Sequence, residues 1–236
     1  MELTPWRNVN DALGHATKGA ALALKSRTLL YAASPLYVAF GDINEANKPS
    51  DAALWKAAAD AAKAVIDLNQ YQLADNYGDL FKNDFKNKEY IFVRRYNANT
   101  NLERSNFPVS FGGEGGTCPS QNLVDDYEML DGTPFDWNRL ARAAQPFVNR
   151  DKRLEATILT NMASFKNKKV ETFPGGADAS PVPNSTKTGY YLRKFLNEDV
   201  NIQTGGSSSG HVVPLFRLAE IYLNYAEALN EYDPTN

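Results

Sequence analysis

Apolar residues recur with a helical period in three separate stretches of the chain and lose that period between them. From about Ala16 to Ser34, Leu22, Leu29, Ala33 and Leu36 recur on one side. Beside them Ala16, Gly19, Ala20 and Ala23 form a flank of small residues that lets a neighbouring backbone come close. Pro35 ends or kinks this helix, because its ring removes a donor and restricts Ser34. A second helix opens after Pro49, with Ser50 or Asp51 as its cap, and closes near Asn69. Leu54, Ala58, Ala61, Val65 and Leu68 keep the spacing of a buried face, while Lys56, Asp60, Lys63 and Asp67 repeat it on the wet face as opposite charges one turn apart. The third helix, Leu215 to about Glu231, starts after Pro214 and carries two apolar stripes, so it is expected to be covered on most of its circumference. Its remaining stripe, Arg217, Glu220, Asn224, Glu227 and Glu231, is costly to bury unless its members find partners. Such a helix needs more protein around it, and the sequence reads as a fragment that stops after the first helix of a hairpin.

The first two helices, joined by a turn with Gly and Pro, read as a hairpin of the solenoid kind, with alanines where tetratricopeptide repeats place small residues; the strict repeat signature is absent. From Leu73 to Pro214 the pattern is that of loops. A strand-like run spans Glu89 to Arg95, glycines cluster from Gly112 to Gly116, and a short helix is expected from Ser120 to Glu128. A turn follows at Asp131-Gly132, and Thr204 to Gly210 has the composition of a flexible loop tip. The expected organisation is a helical hairpin region over 1–78, a loop-rich lobe with short helices and strands over 79–213, and the first helix of a further hairpin over 214–236, all within one domain.

Charge and cysteine content narrow the function. The 236 residues carry 25 basic against 28 acidic side chains, without the cationic excess or basic stripe of a nucleic-acid binder. The longest uncharged stretch, Thr28 to Gly41, contains Pro35 and is too short to span a bilayer. Cys118 is the single cysteine, so no internal disulfide forms, and with His15 and His211 it makes no metal-ligand spacing; no cofactor is expected.

Catalytic patterns are weak. Phe111 to Thr117, FGGEGGT, lacks the Lys-Ser/Thr of a phosphate loop and reads as a mobile loop. His15 and His211 have no neighbour that marks them as bases, and both read as surface histidines. Glu128, Asp131 and Asp136 lie close enough in sequence to be tried as the carboxylate pair of a glycosidase, but each also has an ordinary role at a helix end or a turn. Aromatic residues point elsewhere. Tyr96, Phe107, Phe111, Phe135 and Trp137 fall in the loop-rich middle, where helix packing does not claim them. A sugar ring packs its C–H face on an aromatic face while its hydroxyls seek Asn, Asp and Arg, and Pro134 to Arg139, PFDWNR, has that make-up. The alternative is that Trp137 belongs to a satellite core under a loop.

Ordered blocks along nearly the whole chain resemble the SusD/RagB family of outer-membrane nutrient-binding lipoproteins: ATKGAALALKSRTLLYAASPLY from Ala16, WKAAADAAKAVIDL from Trp55, EYIF from Glu89, PSQNLVDDYEMLDG from Pro119, RDKRL from Arg150, TGYYLRKF from Thr188 and PLFRLAEIYLNYAEALNE from Pro214. Lys152 departs from the pattern, since such proteins commonly have proline there. The resemblance implies a mainly α fold, a tetratricopeptide-like α-α superhelix with a loop-rich lobe containing short strands. It further implies a non-catalytic protein, held by lipid at the surface of the outer membrane, that binds oligosaccharide or another nutrient for a SusC-like TonB-dependent transporter. Family members are about twice this length, and Cys118 is not their lipidated cysteine. The ligand-binding residues expected on this basis are Trp137, Phe135, Phe111 and Tyr96, with Asp136 and Asn138 as hydrogen-bonding partners. Two other readings remain, a helical scaffold that makes only protein contacts and a glycoside hydrolase.

Overall fold

The structure, a computed structural model, describes residues 14–38, 51–82, 87–204 and 207–233. Its main elements run α1 (Lys18–Ala33), α2 (Ala52–Ile66), β1 (Tyr90–Arg95), α3 (Gln121–Asp126), α4 (Lys152–Thr157), β2 (Ile158–Leu159), β3 (Ser164–Phe165), β4 (Lys168–Lys169), β5 (Tyr191–Leu192), β6 (Val212–Arg217) and α5 (Leu218–Tyr232). They fall into two compact units. The described parts of Met1–Asp75, Asp84–Arg95 and Val212–Asn236 form one; those of Asn76–Asn83 and Tyr96–His211 form the other.

In the first unit α1, α2 and α5 pack together, with α2 against both of the others. Thr17 caps α1 by accepting from the Ala20 N–H at 3.1 Å, and Asp51 caps α2 by accepting from the Ala53 N–H at 2.8 Å. The expected Ser50 lies outside the described residues. The buried face of α1 is the small one, Gly19, Ala20, Ala23, Ser26, Leu30 and Ala33, whereas Leu36 beyond Pro35 is 74% exposed. Gly19 makes room there for the Tyr71 ring, which would have to move because a Cβ would sit 1.8 Å from its phenol oxygen. On α2 the buried set is Trp55, Ala58, Ala59, Ala61, Ala62 and Val65, and the wet face carries the expected pairs Lys56–Asp60 and Lys63–Asp67, each at 2.7 Å.

The third helix differs from its sequence reading. It begins at Leu218, three residues later, because Val212–Arg217 is a strand paired antiparallel with β1. The β-branched and aromatic residues on both sides, Val212, Val213 and Phe216 against Ile91, Phe92 and Val93, favour that pairing. Pro214 lies opposite Val93 beside an irregularity in the register, where the missing N–H is tolerated. Three members of the polar stripe are partnered by neighbouring elements, and the other two, Glu227 and Glu231, are exposed. Arg27 donates to both Glu220 oxygens at 2.6 Å, Arg217 donates to Glu89 at 2.7 Å, and Asn224 meets the Ser26 hydroxyl at 3.3 Å. Its second apolar stripe is not covered within the described residues: Leu223 is 69% exposed.

The second unit is built from loops around a ring-rich core. Phe107 and Phe111 meet the Phe165 ring edge-to-face at 5.0 and 5.1 Å, and Leu159, Val170, Tyr191 and Leu196 close the cluster. Phe165 is presented by the β3–β4 hairpin, whose two turn residues, Lys166 and Asn167, both have positive φ as a tight two-residue turn requires. The glycine cluster lies flat along this core. The N–H groups of Glu114, Gly115 and Gly116 donate to the carbonyls of Arg104, Phe107 and Ser105, and a Cβ on Gly113 would meet the Phe107 carbonyl oxygen at 2.1 Å. Those amides are engaged within the fold, so the segment is a packed edge of the core and not the mobile loop expected from its composition. The tract before Gly210 also has fixed points, since Ser209 is buried and exchanges backbone hydrogen bonds with Asn99. Among the described residues no helix is long and apolar enough to cross a membrane.

Candidate functional site

The short helix α3 organises the surface around the PFDWNR segment. Ser120 caps it by accepting from the Leu123 N–H, and its last turn is closed from below by Arg150. This guanidinium is buried and donates to the carbonyls of Val124 at 2.5 Å, Tyr127 at 2.6 Å and Pro146 at 2.8 Å. Three carbonyls in place of a carboxylate leave its burial only partly compensated, and desolvation lowers its pKa, with Asp125 acting in the opposite sense. The outer face of the same guanidinium lies 4.1 Å from the Phe135 ring centroid, a cation–π contact that fixes the ring.

Phe135 in turn holds Trp137 edge-on, with centroids 4.9 Å apart and planes at 79°. The indole Nε1 donates to Asp125 Oδ1 at 2.9 Å, and the Gln121 amide donates to the same oxygen at 2.8 Å. Trp137 is therefore tied to α3 at its nitrogen and braced by Phe135 at its side, yet remains 43% exposed. Asp136 folds back on its own turn, its Oδ1 accepting from the Asn138 N–H and side-chain amide at 2.9 and 3.1 Å. Behind α3, the Tyr190 hydroxyl donates to Gln121 Oε1, and burial raises its pKa. A depression of about 480 Å³ lined by Leu130, Arg142, Gln145, Val148 and Asn149 lies in the same unit.

The structure thus brings together four of the six expected residues, Phe135, Asp136, Trp137 and Asn138. Phe111 is elsewhere: it is 9% exposed and part of the Phe165 core, where its face is covered, and Phe107 is sealed beside it. Both rings fall in the loop-rich middle that helix packing does not claim, but Phe165 of the β3–β4 hairpin packs on them and buries them. Tyr96 is exposed and follows β1, with its N–H donating to the His211 carbonyl. His211 itself is buried, with Nε2 3.3 Å from Glu103, so the surface reading of this histidine is corrected; His15 is exposed. Asp125 and Arg150 were missed. The first could have been found as the carboxylate one helical turn after Gln121.

Of the three acidic residues weighed as a catalytic pair, Asp131 has an environment that favours its charged form. Asp131 accepts from the Thr133 hydroxyl at 2.6 Å and from its N–H at 3.0 Å, with Arg142 3.9 Å away, and these contacts hold its pKa below the usual carboxylate value. A general acid needs the opposite shift. Among the described residues no cluster of His, Cys, Asp and Glu could hold a metal ion.

Helices packed through small faces and a loop-rich unit with short strands define a mainly α, tetratricopeptide-like scaffold protein with an appended lobe. The family model described as the SusD family matches residues 79–236, and the chain belongs to that family. A SusD-like carbohydrate binding protein from Bacteroides fragilis is similar at 27% identity with a TM-score of 0.76, covering 97% of this chain and 43% of that one. A second SusD-like protein from the same organism matches at 26% identity and a TM-score of 0.71, over 94% of this chain and 44% of the other. Surface glycan-binding protein A from Bacteroides uniformis, at 19% identity and a TM-score of 0.57 over 99% of this chain and 42% of that one, shares the fold. The chain spans less than half the length of these structures. No curated protein matches it.

Proposed function

We propose that this chain binds oligosaccharide without chemically changing it, through a platform made by Trp137 and Phe135 with Asp136 and Asn138 at its edge. The observation that carries this reading is the Trp137 ring, fixed at its nitrogen by Asp125 and at its side by Phe135, yet open to solvent. A bound sugar would meet a ring whose position is already set, which reduces the ordering cost of association. Membership of the SusD family and the carbohydrate-binding description of the Bacteroides fragilis relative support the ligand class. Tyr96 remains a candidate contact by its exposure; Phe111 is withdrawn by its burial. In the same reading the protein works at the cell surface, attached to the outer membrane by lipid, and passes its ligand to a SusC-like TonB-dependent transporter.

Calorimetric titration with neutral oligosaccharides tests the platform. Trp137→Ala is expected to weaken binding by about tenfold or more, a loss of about 1.4 kcal/mol, without changing the melting temperature. Unaltered affinity in that variant, or release of reducing ends from the ligand, would overturn the reading.

A further inference from the structure

A second cleft of the loop-rich unit, about 370 Å³, lies outside the Trp137 platform and shares no lining residue with it. Its volume falls near the lower end of the roughly 300–1,000 Å³ typical of ligand pockets. Charged residues dominate the lining, with Lys82, Lys152, Arg193 and Lys194 against Glu155 and Glu198. Pairing removes some of them. Arg193 donates to Glu198 at 3.0 and 2.8 Å, and Lys82 is engaged by Asp79 at 2.9 Å. Among the described residues, Lys152 and Lys194 are left with Glu155 as the one unpaired acid of the lining.

Lys194 is the more informative of the two. Its Nζ stands 3.9 Å from the Phe81 ring centroid and 5.6 Å from those of Tyr77 and Phe195, half-buried among three rings. The one acceptor that reaches it among the described residues is the Tyr77 oxygen at 3.3 Å. An ammonium has three N–H donors, so two have no acceptor among the described residues. Lys152, exposed at the first position of α4, has no ion pair among the described residues and occupies the position where the family resemblance implies proline, which would bring no charge.

The backbone of this corner is held against its own preference. Phe195 has φ +72°, a left-handed conformation that a bulky residue rarely adopts and that persists only where neighbours impose it. The neighbours are identifiable: the N–H groups of Arg193 and Lys194 both donate to the Thr157 carbonyl at 2.9 and 3.1 Å, and Leu196 is buried in the core. The turn so fixed sets the Lys194 ammonium and the Phe195 ring, itself edge-on to Phe81 at 5.1 Å, on one cleft.

A ring beside two ammonium groups that outnumber the one remaining carboxylate, Glu155, suits a sugar that carries an anion. We propose that this cleft is an anionic-sugar subsite, in which Phe195 receives the pyranose face while Lys152 and Lys194 hold the carboxylate or sulfate ester of the same residue. The proposal rests on the carbohydrate reading above and assigns it a substrate class.

Isothermal titration of the chain with tetragalacturonate, its methyl ester, a sulfated but carboxylate-free κ-carrageenan oligosaccharide and neutral oligosaccharides tests both. Tetragalacturonate is expected to bind about tenfold tighter than its ester, with affinity that falls as salt rises, and to lose that advantage in Lys152→Gln and in Lys194→Gln. Lys152→Gln alters an exposed side chain and remains informative if Lys194→Gln lowers the melting temperature. The same two losses with the carrageenan oligosaccharide in place of the uronate would support the subsite and assign the sulfate ester. Equal binding of acid and ester with no preference for the sulfated sugar, or a preference that survives both substitutions, overturns the subsite; neutral sugars lost on Trp137→Ala in the same series would leave the platform standing. Absence of binding by every sugar overturns both.

Discussion

The two units of this chain satisfy their polar groups with a different balance of partners. In the helical unit most of the backbone is paired within helices, and the side chains that come between elements chiefly pair with one another, Arg27 with Glu220, Arg217 with Glu89, Asn224 with Ser26, with Arg27 and Glu89 each also serving one backbone group, the Leu215 carbonyl and the Ala74 N–H. In the loop-rich unit the backbone has fewer regular partners, and side chains are drawn inward to supply them. Asp178, fully buried, accepts from the N–H groups of Ser110 and Glu171; Asn106 bridges the Leu102 carbonyl and the Thr117 N–H; Lys166 donates to the carbonyls of Glu198 and Val200; Arg150 serves three carbonyls at once. The contrast follows from the requirement that buried N–H and C=O groups find partners. A loop fold therefore depends on single polar side chains more than a helical fold does.

Substitutions sharpen that contrast. Arg150→Met keeps much of the volume but strands the carbonyls of Val124, Tyr127 and Pro146, and is expected to cost about 3 kcal/mol, read as a lower urea midpoint together with loss of the fixed Trp137 environment in near-ultraviolet circular dichroism. A loss below about 1 kcal/mol would mean that water replaces the guanidinium and that the loop unit is less dependent on it than argued. Arg27→Met in the helical unit removes a partly exposed ion pair and should cost only about 1 kcal/mol, an amount that shrinks further in high salt. At the small end stands Asp151, whose carboxyl is held below the usual pKa chiefly by the Arg153 guanidinium. A depressed carboxyl contributes stability that is present above its unfolded pKa, near pH 4, and is lost as pH falls through the folded value. After solvent screening the contribution is roughly a few tenths of a kcal/mol, so the midpoints of wild type and Asp151→Asn should differ slightly at pH 7 and converge well below pH 4.

The same contrast explains what the sequence disclosed. Periodicity found α2 almost to its ends, because Asp51, the alanine face and the two charge pairs all follow from local spacing. It placed the polar stripe of α5 correctly but started the helix too early, since Pro214 serves as a helix opener in one context and an edge residue of a strand in another, and only the distant β1 decides. For the site, PFDWNR was recognisable from composition, and its rings do lie together. What fixes them was not recognisable: Asp125 precedes Trp137 by 12 residues and Arg150 follows Phe135 by 15, spacings with no regular period behind them. Phe111 failed for the same reason, as its burial depends on a hairpin more than fifty residues away.

The bond from the Trp137 indole to Asp125 has a consequence for selectivity. A tryptophan free to rotate about its side-chain bonds would offer either flank of its bicycle and tolerate many approach angles. Tethered at nitrogen, it presents one flank at one inclination, so in the proposed platform the handedness of the encounter would be set by the helix that carries the carboxylate. Lengthening that tether by a single methylene, as in Asp125→Glu, would turn the flank and should reorder which stereoisomers the surface prefers before it abolishes their capture.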